Sequence, residues 1–424
     1  MNMSNMVGVG PFLTIPLILE AMDGPQAMLG WILGAVLAIC DGMVWAELAS
    51  AVPATGGSLE YLKAAYAKTP LARLLPFLFI WQFILSGPLE VASGAIGFAM
   101  YLSYLRPMSP LQRSWLAVSV CALAVVLLYR RIETIGRLTV VLWVGVILTI
   151  GVVLACGLPH VGSGAALAFP PHAFTFSRAF VLGLGSAMAF AMYDFFGYYS
   201  VCYVGDEVRD ASRTIPRSIL ISVIVTAVVY LAMNISIISV VPWQEAIQSS
   251  CKDYIASEFM ARLYGRAGGV IISVLICWTA FASVFALLLG YSRIPYAAAR
   301  DGYFFSAFAR LHPRGDFPHV SLLVLGAVAM VASFLSLDAV INALICTRIL
   351  VQFVTQIGAV ALLRKRTPQC STFRMTLYPL PCLIALVGWL FIFATSDRMY
   401  ILGGVATLVA GVAAFGVWTR WRSG

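Results

Sequence analysis

The sequence predicts an all-α, polytopic membrane protein, and two observations carry that prediction: the composition and the spacing of apolar runs. Of the 424 residues, 61% are hydrophobic and only 11% are charged, and the mean hydropathy is +0.93. Soluble domains are about half apolar and a quarter charged. Apolar windows of about 20 residues, the length that crosses a hydrocarbon core, recur along the whole chain. The lipid bilayer is therefore the predicted environment.

About twelve membrane helices are predicted. Eleven full windows begin near residues 27, 73, 113, 136, 176, 217, 268, 319, 339, 374 and 399. A partial window lies at the N-terminus, where about seven residues precede Gly8 and would span roughly 10 Å as a helix. The first helix is therefore expected to be truncated at its start, and the alternative is a helix that begins at Pro11.

The basic excess of the chain follows its predicted topology. The net charge is +9, and the predicted inner loops hold nineteen of the 27 Lys and Arg residues while the outer loops hold seven. This is the positive-inside distribution of a membrane protein. It predicts a multi-pass protein of the inner, cytoplasmic membrane with both termini in the cytoplasm, and nucleic-acid binding is not expected.

The residue patterns of metal sites and enzymes are not found in the sequence. The nine cysteines form no Cys/His cluster with metal-ligand spacing, so no metal and no cofactor are predicted. The chain also contains no HExxH, GxSxG or P-loop motif. An enzyme is therefore not expected.

The sixth predicted helix is interrupted by a charge and a glycine. Its apolar run over residues 189–200 contains Asp194, and Gly197 follows three residues later. A carboxylate near the middle of a bilayer is costly unless it faces a cavity or a partner, so an acid at this depth indicates a functional site. Backbone that leaves the helix at that depth is tolerated only where it lines protein or water.

A second interruption is predicted at the start of the chain, where Gly8 and Gly10 flank Val9. Two interrupted helices at corresponding positions of two repeats are the best sequence indication of the binding site of a secondary transporter. The sequence therefore predicts a transporter whose site lies between the two breaks.

Four segments resemble the amino acid/polyamine/organocation (APC) superfamily. They are the glycine-rich break at 8–12, the acidic, proline and glycine-pair motif at 46–61, the acidic, basic and proline motif at 205–217, and the loop at 293–302. They cover most of the chain in the expected order. The sixth-helix segment is most similar to bacterial permeases allied to L-type amino acid and plant polyamine transporters.

This resemblance implies one permease domain over residues 1–424, with five helices repeated in inverted orientation plus two more. The first repeat would cover about residues 1–158, the second about 176–363, and the extra helices about 374–421. It also implies that an amino acid or a related amine is held between the first and sixth helices.

The chemistry of an amino acid fits these breaks. Unpaired N–H groups at the start of a half-helix favour an anion, so the backbone of residues 8–10 is predicted to meet the substrate carboxylate. Free carbonyls over residues 191–194 are predicted to accept from its ammonium group, under a cap of nearby aromatic rings. The predicted substrate-binding residues are Gly8, Val9, Gly10, Glu90, Tyr193, Asp194, Phe196 and Gly197.

Two deep acids and one deep arginine leave two interpretations open. Asp194 and Glu90 would bind a cationic group of the substrate or carry a coupling proton. Alternatively they are structural, since Arg348 in the tenth helix would neutralise either acid. Arg348 would otherwise bind the substrate carboxylate, and it is a candidate for gating or proton coupling.

Three further acids are gate or proton-coupling candidates. Asp41 and Glu47 lie toward the predicted cytoplasmic end of the second helix, and Glu207 follows the sixth. The resemblance implies an inner gate in which such acids pair with a basic residue, for example Arg209 or Arg293. The alternative is ordinary solvation at the membrane interface.

The coupling ion is open between a proton and sodium. Some superfamily members use a lysine of the fifth helix in place of sodium, but residues 138–158 contain no lysine. Protonation of Asp194 or Glu90 would replace it, whereas sodium would need carbonyls and a hydroxyl such as that of Ser283. The prediction is a proton-coupled transporter of amino acids or amines, with cationic amino acids and polyamines among its candidate substrates. An exchanger without ion coupling and a transporter-like nutrient sensor are the alternatives.

Overall fold

The computed structural model describes residues 6–54, 56–129, 132–162, 168–313, 315–366 and 373–423, and these residues form helices and turns without strands. The α-helices are α1 (Gly10–Met22), α2 (Met28–Ala51), α3 (Ser58–Tyr66), α4 (Leu74–Leu105), α5 (Pro110–Leu128), α6 (Ile132–Gly157), α7 (Arg178–Phe195), α8 (Ala211–Val240), α9 (Trp243–Ala246), α10 (Ser249–Lys252), α11 (Ile255–Tyr291), α12 (Arg293–Arg300), α13 (His319–Ala332), α14 (Leu337–Arg348), α15 (Thr355–Arg366), α16 (Leu380–Thr395) and α17 (Arg398–Ser423). Short 3₁₀ turns and one π-helical segment, Ile349–Val354, connect some of them.

Eight helical stretches of the described chain are long and apolar enough to cross a membrane. They are Pro25–Ala51, Leu74–Leu105, Pro110–Leu128, Val140–His160, Ala211–Val240, Ile255–Arg300, Leu337–Arg366 and Arg398–Arg420. Three shorter apolar helices, α1, α13 and α16, accompany them. The predicted polytopic, all-helical fold is confirmed, and the count of twelve stays a prediction.

The two interrupted segments lie side by side at the centre of the bundle. Helix α1 packs along α7 and also contacts α8, α11 and, through the hydrogen bond of Tyr101 to Phe12, α4. Small residues permit the close approach that membrane helices need. A Cβ on Gly183 of α7 would lie 2.2 Å from the carbonyl oxygen of Ala21, and one on Gly30 of α2 would lie 2.6 Å from the Cβ of Ala187.

Two connections depend on glycines with positive φ. Gly56 and Gly57 have φ of 124° and 53°, and this glycine pair forms a tight turn before α3. The polar stretch from Trp243 to Gly269 contains α9, α10 and the start of α11, which bends at Gly265 with φ of 70°.

Candidate functional site

Both predicted helix interruptions are present. Met6 is helical, residues 7–9 leave the helix, and α1 begins at Gly10 with a proline in its first turn. Proline suits that position because its missing N–H has no partner there in any helix. Helix α7 ends at Phe195, and Gly197 has φ of 105°, a conformation that side chains disfavour. A 3₁₀ turn over Ser200–Glu207 then continues the chain.

A small cavity lies between the two interruptions. Seven of the eight predicted substrate-binding residues line it, and Gly197 does not. Its lining comprises Met6, Gly8, Val9, Gly10, Glu90, Gly94, Tyr193, Asp194, Phe196, Ser283 and Leu287. Residues of both breaks therefore line one cavity, and the binding of a substrate there stays a prediction.

Asp194 is buried against α1 at the edge of this cavity. The hydroxyl of Thr14 donates to its Oδ2, while its Oδ1 has no hydrogen-bond partner in the described part of the chain. A Cβ on Gly10 would lie 2.1 Å from that Oδ1, so glycine is what lets the carboxyl group reach α1. The carboxyl group thus fills the space beside the N-terminal turn of α1.

Glu90 is paired, in contrast to Asp194. Arg348, which is fully buried, places its Nη1 2.8 Å from Glu90 Oε2, and the hydroxyl of Tyr291 donates to the same oxygen at 2.8 Å. Arg348 also donates from Nε to Ser86 Oγ and from Nη1 to Tyr199 Oη, at 3.2 and 3.3 Å. The structure thus assigns Arg348 to Glu90, and among the described residues no ion pair reaches Asp194.

The helix that carries Arg348 changes its winding directly after it. Ile349–Val354 is a π-helical segment, a local distortion that often accompanies functional sites. The guanidinium carbon of Arg348 lies 5.2 Å from the ring centroid of Phe196, beside the second break. The chain that follows α7 therefore contacts the guanidinium group of Arg348 through Phe196.

Two predicted aromatic residues have specific neighbours. The hydroxyls of Tyr193 and Ser93 are hydrogen-bonded at 2.6 Å. The ring of Phe196 stacks on Phe353, with a centroid separation of 5.5 Å, and lies 6.3 Å from the ring of Trp389. Both residues face the cavity, but their rings are fixed by packing.

Asp41 does not have the basic partner that the sequence analysis expected. It is fully buried and accepts hydrogen bonds from the indoles of Trp45, at 3.0 Å, and Trp389, at 3.1 Å, and from the hydroxyl of Tyr198. Solvation at the interface is also wrong for this residue. Three neutral donors satisfy the carboxylate, and Tyr198 connects it to the second break.

Glu47 is paired, but with Arg364 of α15 rather than with Arg209 or Arg293. Arg364 donates to both carboxylate oxygens, at 2.5 and 2.7 Å, and the backbone N–H of Met375 donates at 2.9 Å. Such bidentate arginine–carboxylate pairs are among the stronger charged contacts. The side chain of Glu207 lies outside the described part of the chain.

A second ion-pair group joins the short helix α3 to the end of α12. Lys63 bonds to Glu60 at 2.6 Å and to Asp301 at 3.1 Å. Burial lowers the pKa of Lys63, but hydrogen bonds to both carboxylates outweigh this effect and raise the pKa above its ordinary value. The lysine therefore stays charged and connects these two surface segments.

Several residues of the site were missed from the sequence. Thr14, Tyr230 and Tyr291 all bond to groups at the breaks or to the charged pair. A usable signal existed for Tyr230, since polar residues recur at 222, 226, 230 and 234 of this helix. That spacing of four places them on one helix face.

Replacing Gly10 by alanine tests the close contact of α1 with Asp194. The added Cβ would displace the carboxyl group from Thr14, and a hydrogen bond to a charged group contributes about 1.5–3 kcal/mol. Substrate affinity is expected to fall about tenfold or more, measured by concentration-dependent uptake in proteoliposomes. Gly290→Ala is the control, since nothing lies within 4 Å of its added Cβ, and equal uptake by both variants would contradict the role of Gly10.

The fold and the candidate site together define a class: a multi-pass helical membrane protein with a cavity between two interrupted helix segments. Comparison with known proteins agrees. The family model described as amino acid permease matches residues 1–413. The chain belongs to this family, which confirms the predicted resemblance to APC superfamily permeases.

Individual relatives are similar over most of the chain. An uncharacterised transporter of Mycobacterium tuberculosis is 30% identical over 98% of this chain and 88% of its own length. The human Asc-type amino acid transporter 1 is 26% identical over 99% of this chain and 80% of its own length. The mouse cationic amino acid transporter 4 is 26% identical over 88% of this chain and 60% of its own length.

Proposed function

We propose that this protein is a proton-coupled secondary transporter that moves an amino acid across the cytoplasmic membrane by alternating access. The observation that carries the proposal is the cavity between two helix interruptions, with Asp194 at its edge and no cation paired to that acid among the described residues. The family membership and the relatives named as amino acid transporters support the substrate class.

The two ends of an amino acid match the two ends of the cavity. The N-terminus of α1 offers N–H groups of residues 8–10, which favour a carboxylate. The C-terminus of α7 offers carbonyls without helical partners, including that of Asp194, and these favour an ammonium group. A zwitterion would therefore lie across the gap between the half-helices.

The charge of the site favours one extra positive charge. Arg348 neutralises Glu90, so Asp194 is the acid of the cavity that still needs a counter-charge. A buried carboxylate is stable when a proton or a cation balances it. A proton carried with a neutral amino acid, or the side chain of a cationic one, supplies that charge, whereas a polyamine carries several and fits less well.

The proposal includes twelve membrane helices. Ten of them form two inverted repeats, about residues 1–158 and 176–363, and the extra helices cover about residues 374–421. With the N-terminus in the cytoplasm, α4 runs outward. Gln82 and Ser86 then lie on the cytoplasmic side of Glu90, and Gln352 lies on that side of Arg348. This polar layer would separate the cavity from the cytoplasm and form the inner gate.

Uptake into proteoliposomes tests the proposal. A labelled panel of neutral amino acids, cationic amino acids and polyamines is offered with an acidic exterior, with and without a protonophore, and protein-free liposomes serve as the control. Accumulation of an amino acid that the protonophore abolishes is expected. Exchange of internal for external amino acid without accumulation would identify an uncoupled exchanger, and binding without any uptake would identify a sensor; either result would overturn the proposal.

A further inference from the structure

A row of stacked aromatic rings leads from the cavity to α16, a helix outside the two proposed repeats. Phe196 lines the cavity, and its ring stacks on Phe353 of the π-helical segment with 21° between the ring planes. Phe353 stacks in turn on Trp389 of α16, with a centroid separation of 3.9 Å and 8° between the planes. All three side chains are buried. Behind Phe196, the wall of the cavity is therefore two rings deep and ends in α16.

Asp41 of α2 fixes the far end of this row. The indole N–H of Trp389 donates to its Oδ1 at 3.1 Å. The other carboxylate oxygen accepts from the indole of Trp45 and from the hydroxyl of Tyr198. A buried carboxylate that loses a donor carries the cost of an unmade hydrogen bond. This contact therefore holds the Trp389 ring in one orientation against Phe353.

Phe196 depends on such support because its own backbone is irregular. Helix α7 ends one residue before it, at Phe195, and Gly197 follows with φ of 105°. No helix continues through this point to fix the direction of the Phe196 side chain. Protein interiors are close-packed, and neighbouring groups move partway into a space that is opened among them. The position of the Phe196 ring is therefore set by the rings behind it.

We propose that Trp389 is a positioning residue that limits the size of the substrate side chain, because it holds Phe353, and through it Phe196, at the wall of the cavity. The selection of side-chain size rests on the proposed function, in which the substrate is an amino acid. The support of Phe196 by the two rings does not. A helix outside the proposed repeats thus takes part in substrate selection without lining the cavity.

Trp389→Leu tests this proposal by removing the ring next to Phe353. Phe353 and then Phe196 can move into the freed space, which gives the cavity more room at this wall. The measurement is the concentration of alanine and of leucine that halves uptake of the transported amino acid into proteoliposomes. The ratio of the two concentrations is expected to shift about tenfold in favour of leucine, the size of effect that a methylene has in an apolar pocket.

Trp389→Phe separates positioning from stability. It keeps a ring on Phe353 but removes the N–H group that donates to Asp41, so it should lower the melting temperature and still keep the wild-type ratio. The matched control is Trp81→Phe. Trp81 also donates its indole N–H to another helix, at 3.1 Å from the carbonyl oxygen of Thr407, and stacks on Phe77, but it does not line the cavity or contact the row. A wild-type ratio in Trp389→Leu, or an equal shift in Trp389→Phe or Trp81→Phe, would overturn the proposal.

A second measurement does not need transport. 4-Fluorophenylalanine in place of Phe196 reports the surroundings of that ring through its fluorine resonance in the purified protein. The wild type and Trp81→Phe are expected to give the same narrow resonance, and Trp389→Leu a shifted or broadened one. An unchanged resonance in Trp389→Leu would show that Trp389 does not position Phe196. If the wild type takes up no amino acid, the proposed function fails, but the resonance still decides the role of Trp389.

Discussion

Replacing Asp194 by asparagine is expected to abolish gradient-driven accumulation of substrate while leaving the fold intact. Asparagine has the same shape and can still accept from Thr14, but it neither carries a negative charge nor takes up a proton. In the wild type, uptake should rise as the exterior becomes more acidic, because a larger share of outward-exposed Asp194 is then protonated. In the variant, uptake should no longer respond to external pH, and only exchange across the membrane should remain.

Asp41→Asn is the matched control for this prediction. Asp41 is also a fully buried acid, but its oxygens accept from three neutral donors and it does not line the cavity. An asparagine there would set its own N–H₂ against one of those donors, so a lower melting temperature is expected with the pH response retained. Accumulation by Asp194→Asn that matches the wild type at every pH would contradict the assignment of Asp194.

The sequence was sufficient to predict the two helix interruptions and the membrane helices. An acid within an apolar run is costly in a membrane helix, and glycine permits backbone that leaves the helix, so residues 8–10 and 194–197 could be located without a structure. The long apolar windows predicted the helices for the same reason. These signals are local, since each depends on residues that are neighbours in the chain.

The partners of the charged groups could not be predicted, because they depend on which helices meet. Arg348 was available to either deep acid by sequence, and the packing of α14 on α4 assigned it to Glu90. The resemblance implies a basic partner for Asp41, with solvation at the interface as the alternative, and neither indicates the neutral donors that the structure shows. Indole N–H groups such as that of Trp389 give no charge pattern, and this residue is 348 positions away.

Tyr230 shows a different limit. A tyrosine in a membrane helix is usually an interface anchor or a packing residue, and nothing in the residue type indicates a bond to a distant backbone carbonyl. Met6 is 224 positions away in the chain. Only the polar row on one face of α8 indicated that this helix faces something other than lipid.

Separating Glu90 from Arg348 is expected to destabilise the protein strongly. The pair is buried, and removing one partner of a buried ion pair leaves an uncompensated charge, at a cost of about 3–5 kcal/mol. Arg348→Met and Glu90→Gln should therefore each lower the melting temperature and the yield of folded protein in detergent. The double variant removes both charges and should recover most of that loss, which a double-mutant cycle would measure as a coupling between the two sites.

The control for this prediction is an ion-pair group that is in contact with water. Arg262 bonds to Glu245 and Glu258 with its side chain 28% exposed, and exposed pairs contribute about 0–1 kcal/mol, so Arg262→Met should be nearly neutral. Since Glu90 lines the cavity and Arg348 holds Tyr199 beside the second break, the double variant should be stable and yet transport poorly. Single variants as stable as Arg262→Met would show that the pair does not hold α4 and α14 together, and full uptake by the double variant would show that transport does not need the pair.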